Sequence, residues 1–265
     1  MHESVFICYT TIMIINKSTS KSLRRFNIVA GCFHLILAAL VLALSNDFSL
    51  PVTATYLAGP PGSFFTDPIT LFEIRTGYAV ALFLGLSSLF HFLVASTKLF
   101  PRYIKGLSNN INIFRWVEYS ISSSLMILLI AQITGISDYG ALIGIVGVNA
   151  SMILFGWLQE RYAKPGDGDL LPFIFGCIAG IVPWVIVLIS VLSPGSPSDA
   201  MPPGFVYGII VSIFVLFNTF AYVQFKQYMA KGKWSNYLRG ERAYIALSFV
   251  AKAALAMQIF ANTLI

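Results

Sequence analysis

Apolar residues run along this chain in long blocks, punctuated by short polar connections. Seven blocks reach the roughly 20 mostly apolar residues that a membrane-crossing helix needs. They are Phe26–Ser45, Ile74–Ser96, Ile111–Thr134, Tyr139–Leu158, Leu171–Leu192, Gly204–Phe225 and Ala243–Leu264. The pattern predicts an all-α membrane protein: one bundle of seven spanning helices over residues 26–265, behind an N-terminal tail over residues 1–25. Inside that tail, Val5–Ile15 is apolar but too short to span, and His2 and Glu3 stand where a signal peptide carries positive charge. One connection is long, Asn46–Glu73. It places Pro-Val-Thr-Ala-Thr-Tyr-Leu (51–57) before Gly-Pro-Pro-Gly (59–62). Strand-forming residues beside a turn signal predict a small β-hairpin between the first and second spans.

Composition agrees with lipid as the solvent. The chain is 57% hydrophobic and 11% charged, with a mean hydropathy of +0.79, whereas soluble domains carry about 25% charged residues. A net charge of +6 raises the question of nucleic acid. The basic residues answer it, because they lie between the apolar blocks and act as topology signals and anionic-lipid contacts. Lys17, Lys21, Arg24 and Arg25 precede the first span. Lys98, Arg102, Lys105 and Arg115 fall between or at the ends of the second and third. Arg161 and Lys164 follow the fourth, and Lys226, Lys231, Lys233, Arg239 and Arg242 lie between the sixth and seventh. The other face has only Arg75, against Asp47, Asp67, Glu73, Asp138 and Asp199. The positive-inside rule therefore predicts a cytoplasmic N-terminus, with the hairpin and the C-terminus outside the cell. Cys8, Cys32 and Cys177 are odd in number and scattered, so neither a disulfide framework nor a metal site is expected.

Two charges remain inside the membrane. Lys252 lies ten residues past Arg242 in the last span, about 15 Å along the axis and close to mid-membrane. An ammonium there costs at least about 2.5–3.5 kcal/mol on insertion scales. The partner that offsets this is Glu118 in the third span. A buried ion pair is weak evidence for stability, because desolvation can exceed the Coulomb gain. Three readings follow: a lock between two helices, an ion or proton site in a transporter, or a covalent lysine site. In the third, an amine kept from water condenses with an aldehyde, and the resulting cation needs a carboxylate beside it. Ser248 is one turn before Lys252 on the same face. His34, His91 and Ser87 are further polar residues inside apolar spans. Pro183 and Trp184 in the fifth span, and Phe214, Phe217 and Phe220 in the sixth, supply bulk for a pocket or simply for the core.

Longer runs discriminate further. Phe-Asn-Ile-Val-Ala-Gly-Cys-Phe-His-Leu (26–35), Phe-Arg-Trp-Val-Glu-Tyr-Ser (114–120), Gly-Val-Asn-Ala-Ser-Met-Ile-Leu-Phe-Gly-Trp (147–157) and Glu-Arg-Ala-Tyr-Ile-Ala-Leu-Ser-Phe-Val-Ala-Lys (241–252) resemble the heliorhodopsins, from about residue 20 to the C-terminus. The resemblance implies a seven-helix rhodopsin-like bundle of inverted orientation that carries all-trans retinal covalently on Lys252, with Glu118 as counterion. His34, His91, Ser248, Ser87 and Tyr119 would form the polar surroundings of the Schiff base. Met152, Ile153, Gly156, Trp184, Phe214, Phe217 and Asn218 would line the chromophore channel. Leu37 and Met257 depart from the glutamine and tryptophan of the family pattern, which implies altered colour or photocycle rate rather than lost binding.

The resemblance further implies a light-absorbing photoreceptor, not an enzyme, with a slow photocycle and a sensory or regulatory output; a light-gated ion or proton channel is the alternative. The residues themselves argue against pumping, since Leu129 stands eleven residues past Glu118 where a second carboxylate would be useful, and Glu160 and Glu241 fall at the boundary, solvated or paired. Gly140/Gly144 and Gly176/Gly180 have spacings that permit close helix approach. Together with the 46–73 loop they suggest a homodimer through the fourth and fifth spans, or else internal packing.

Overall fold

The computed structural model describes residues 13–193 and 202–263. Most of the run Val5–Ile15, with Cys8, lies outside the described residues, as does Asp199. The elements are α1 (Lys17–Leu44), β1 (Ser49–Ala54), β2 (Ile69–Arg75), α2 (Thr76–Ala95), α3 (Phe100–Ser108), α4 (Ile113–Ile133), α5 (Tyr139–Tyr162), α6 (Leu171–Leu192), α7 (Gly204–Met229) and α8 (Tyr237–Thr263). A short 3-10 turn at Gly232–Ser235 precedes α8. All of these helices except α3 are long and apolar enough to cross a membrane, which makes the chain a multi-pass membrane protein with seven spans among the described residues.

Two departures from expectation sit at the end of the bundle where α1 begins. First, α1 starts at Lys17 rather than near Phe26, so part of the expected tail is helix. The Asn16 side chain caps it by accepting from the Thr19 amide at 2.8 Å, which satisfies a donor that the first turn leaves open. The added turns are anchored by Leu23, which is buried against Tyr103 and Leu107. Second, α3 forms in a stretch expected to be a loop. Tyr103 and Leu107 face inward while Arg102 and Lys105 stay exposed, the split that suits a helix lying at a membrane surface. Phe100, Tyr103, Ile104 and Leu107 follow helical spacing, and Pro101 occupies a first-turn position that needs no amide hydrogen.

The opposite end carries the hairpin. Strands β1 and β2 pair antiparallel from Ser49↔Arg75 to Ala54↔Ile69, with an irregularity between Val52 and Thr53. Gly62 takes the left-handed conformation (φ 98°) that the intervening turn requires. The Thr53 amide donates to the Ser137 carbonyl at 2.8 Å, which fastens the hairpin to the α4–α5 connection. The outer strand leaves Ile69, Leu71 and Phe72 exposed.

Between the two ends, one large core of buried apolar residues includes Ala38, Val80, Phe83, Leu84, Ile127, Leu129, Ile130, Ile145, Ile213, Leu255 and Ile259. The glycine motifs divide. A Cβ on Gly180 would sit 2.5 Å from Met152 Sδ, and one on Gly176 would meet Phe155 and the Met152 carbonyl at 3.3 and 3.4 Å. That pair therefore serves the α5–α6 contact inside the bundle. A Cβ on Gly144 would meet nothing within 4 Å, so that position faces outward.

Candidate functional site: a buried lysine at the mouth of an aromatic cavity

Helix α8 delivers Lys252 to the interior at 3% exposure, and α4 brings Glu118 to meet it. Lys252 Nζ lies 2.5 Å from Glu118 Oε1, and it also donates to Ser87 Oγ from α2. The Ser87 hydroxyl donates in turn to Glu118 Oε1 at 2.6 Å. Three helices thus converge on one charge pair, and the ring of Tyr119 stands 5.2 Å from the ammonium. The mid-helix placement follows from local sequence, because both charges sit well inside runs that bury apolar neighbours on each side.

The other expected polar residues gather on the α1–α2 side. His34 is fully buried, and neither ring nitrogen has a hydrogen-bond partner. Its ring stacks on His91, with centroids 5.6 Å apart and planes 12° from parallel. His91 Nδ1 lies 2.8 Å from Asn27 Oδ1. The Asn27 amide nitrogen faces the Leu23 carbonyl at 3.0 Å, so its oxygen is the atom left for His91, and Nδ1 carries the hydrogen. Ser248 is buried beside Tyr119, and Ser122 stands beside Glu118.

On the other side of Lys252 opens a cavity of about 170 Å³. All seven residues expected to line a channel border it: Met152, Ile153 and Gly156 from α5, Trp184 from α6, and Phe214, Phe217 and Asn218 from α7. Trp184 meets Phe214 and Phe217 edge-on, at 5.1 and 5.6 Å between ring centroids. A Cβ on Gly156 would come within 2.5 Å of the Trp116 ring, so glycine there is what lets the indole lie flat along the wall. Phe220, read as pocket or core bulk, lines the cavity too, and the expectation missed Trp116, Ser123, Met126, Gln224 and Tyr244. The signal for α4 was present: Trp116, Tyr119, Ser123 and Met126 recur at helical spacing around Glu118. Leu37 packs against the apolar core and Met257 is 52% exposed, and neither borders the cavity.

A second charged cluster corrects the reading of one residue. Arg115, counted there among the topology residues, is 5% exposed, and Glu160 and Glu241, expected to be solvated or paired, are buried and paired. Arg115 pairs with Glu160, and with Glu241 at 2.5 Å. Trp116 Nε1 donates to Glu160 at 2.6 Å, the Tyr237 hydroxyl to Glu160 at 2.8 Å, and the Tyr103 hydroxyl to Glu241 at 2.9 Å. Asn112 contributes its backbone amide to Glu160 and its side-chain amide to Glu241, both at 2.9 Å. The guanidinium does not snorkel because two carboxylates and the Tyr244 ring, 4.0 Å away, receive it inside.

The sequence profile of the heliorhodopsins matches residues 23–264, nearly the whole chain. The chain belongs to the heliorhodopsin family. Membership makes it a rhodopsin-like retinal photoreceptor of the membrane, in a family of light-sensing proteins rather than of enzymes as usually understood. No curated protein matches the chain. Within this heliorhodopsin, an amine opening onto an apolar, aromatic cavity with a carboxylate against it is a chemically suitable seat for an aldehyde attached to a long polyene.

Proposed function

We propose that Lys252 carries retinal covalently and that Glu118 is the counterion of the linkage. The observation that carries this reading is the position of Lys252 Nζ, 2.5 Å from a buried carboxylate and on the wall of the aromatic cavity. When bound as a protonated Schiff base, all-trans retinal supplies absorption of visible light and isomerisation to the 13-cis form. The protein's own residues do the rest. Glu118 and Ser87 hold the proton on Lys252 Nζ. Trp184, Phe214 and Phe217 would pack against the polyene with their rings, and Met152, Ile153 and Gly156 would complete the walls around it. His34 and His91, stacked beside the charge pair with two unpartnered nitrogens on His34, offer acceptors for the proton when it leaves Nζ.

The response is sensory or regulatory, without net ion transport. Support comes from asymmetry about Lys252. Polar groups lead away from it toward the α3 end, whereas Leu129, Leu255 and Ile259 belong to an apolar core on the hairpin side. A proton leaving and returning by one side does no vectorial work. The basic residues at the α1, α3 and α7–α8 end support a cytoplasmic N-terminus, with the hairpin and C-terminus outside. The exposed Ile69, Leu71 and Phe72 of β2 and the open Gly144 face support a homodimer through the hairpin and α5. In the test, purified protein is incubated with retinal, reduced with borohydride and digested. The retinyl mass is expected on the peptide containing Lys252, and the same mass on another lysine overturns the assignment.

A further inference from the structure

A second, smaller cavity of about 40 Å³ touches both buried charge clusters. Glu118 and Glu241 both border it, as do His91, Asn27, Tyr103 and Asn112. A polar cavity holds a water once it has roughly 10–15 Å³ for it and two or more partners, so this one has room for about three. The clusters are close in the fold: Arg115, which grips Glu241, precedes Glu118 on α4 by three residues, about 4.5 Å of rise.

Charge counting gives the cavity a direction. Lys252 and Glu118 balance one another. Arg115 faces two carboxylates, so its cluster buries one uncompensated negative charge, and a proton is the smallest thing that neutralises it. Of the two carboxylates, only Glu241 borders the cavity. Glu160 is closed off by Arg115, Trp116, Tyr237 and the Asn112 amide.

We propose that Glu241 is the far station of a proton relay that begins at Lys252 Nζ and Glu118 and runs through the cavity bordered by His91, Asn27 and Tyr103. The proposal rests on the Schiff-base reading above. One proton leaves Nζ, successive hydrogen bonds shift by one place, and one proton arrives on Glu241, so the two clusters exchange a unit of charge. Everything that faces Glu241 bears on this step: Arg115 at 2.5 Å, the Tyr103 hydroxyl and the Asn112 amide at 2.9 Å, and Glu160 across the guanidinium. Tyr103 serves as a donor rather than a store. Burial, then the Glu241 carboxylate, pushes its phenol well above the ordinary tyrosine range, so it stays protonated. Asn27 is a positioning residue, since its amide ties His91 at 2.8 Å and reaches the Tyr103 oxygen at 3.4 Å.

Two measurements test the relay. A structure that resolves water should place ordered water in this cavity, and a dry cavity overturns the relay without any retinal present. In light-minus-dark infrared spectra of the loaded protein, a carbonyl stretch of a protonated carboxyl should rise as the visible band bleaches, and it should vanish in Glu241→Gln. Tyr103→Phe removes one donor and leaves the charges in place, so it serves if Glu241→Gln does not fold. It should slow the rise of the carbonyl stretch about tenfold, a barrier change of ~1.4 kcal/mol. A pigment that forms and bleaches while Glu241→Gln keeps the stretch, or Tyr103→Phe leaves its rate unchanged, overturns the relay alone. A wild-type protein that stays colourless with retinal removes the Schiff-base reading, and the relay with it.

Discussion

Two buried clusters among the described residues each pair a basic side chain with glutamate, and they are finished differently. Around Arg115 the carboxylates are densely partnered: Glu160 receives four hydrogen bonds, from Arg115, Trp116, Tyr237 and the Asn112 amide, and Glu241 receives three, although Arg115 Nε has no partner. Around Lys252 the set is sparse. Glu118 Oε1 takes Lys252 and Ser87, His34 next door has no partner, and the ammonium looks into an apolar cavity. A densely partnered cluster suits holding helices in register, whereas the sparse one places its amine, held by Glu118 and Ser87, on the wall of a cavity. Burial and charge alone do not separate the two cases, but the surplus or shortage of partners does.

The largest effect should come from breaking the densely partnered cluster. Arg115→Gln leaves two buried carboxylates without a cation and should cost about 3–5 kcal/mol, read as a large drop in thermal midpoint in detergent. An unchanged midpoint would mean that the cluster is not what holds this end together. At the sparse site, Glu118→Gln should still yield pigment, but with its band moved to the red, because the balancing charge is gone; a band that stays in place removes Glu118 from the counterion role. Gly156→Ala drives a methyl into Trp116 and should cost about 1–3 kcal/mol, with a shift in the visible band as the wall moves. The smallest effect expected is Trp116→Phe, which takes one donor of four from Glu160 and should lower stability by about 1 kcal/mol in the same thermal assay.

The sequence made the sparse site readable and hid the densely partnered one. Lys252 and Glu118 stand alone deep in apolar runs, where any charge is conspicuous. Arg115, Glu160 and Glu241 fall near span ends, where long side chains ordinarily reach water, and only the assembled bundle brings α4, α5 and α8 together there. Tyr103 was hidden for a related reason: α3 is nine residues long, so its helical spacing is brief and its basic residues looked like loop. The seven spans and the hairpin were legible because hydropathy over twenty residues and a Gly-Pro-Pro-Gly turn are strong local signals. The partition of the glycine motifs was not, since spacing says that helices can approach closely but not which neighbour fills the gap.

The most direct test is a side-by-side titration of wild type and Lys252→Ala with all-trans retinal, followed by visible absorption. The account predicts a shifted, protein-bound band in the wild type and only the spectrum of free retinal in Lys252→Ala. Equal colour in both, or in neither, would contradict it.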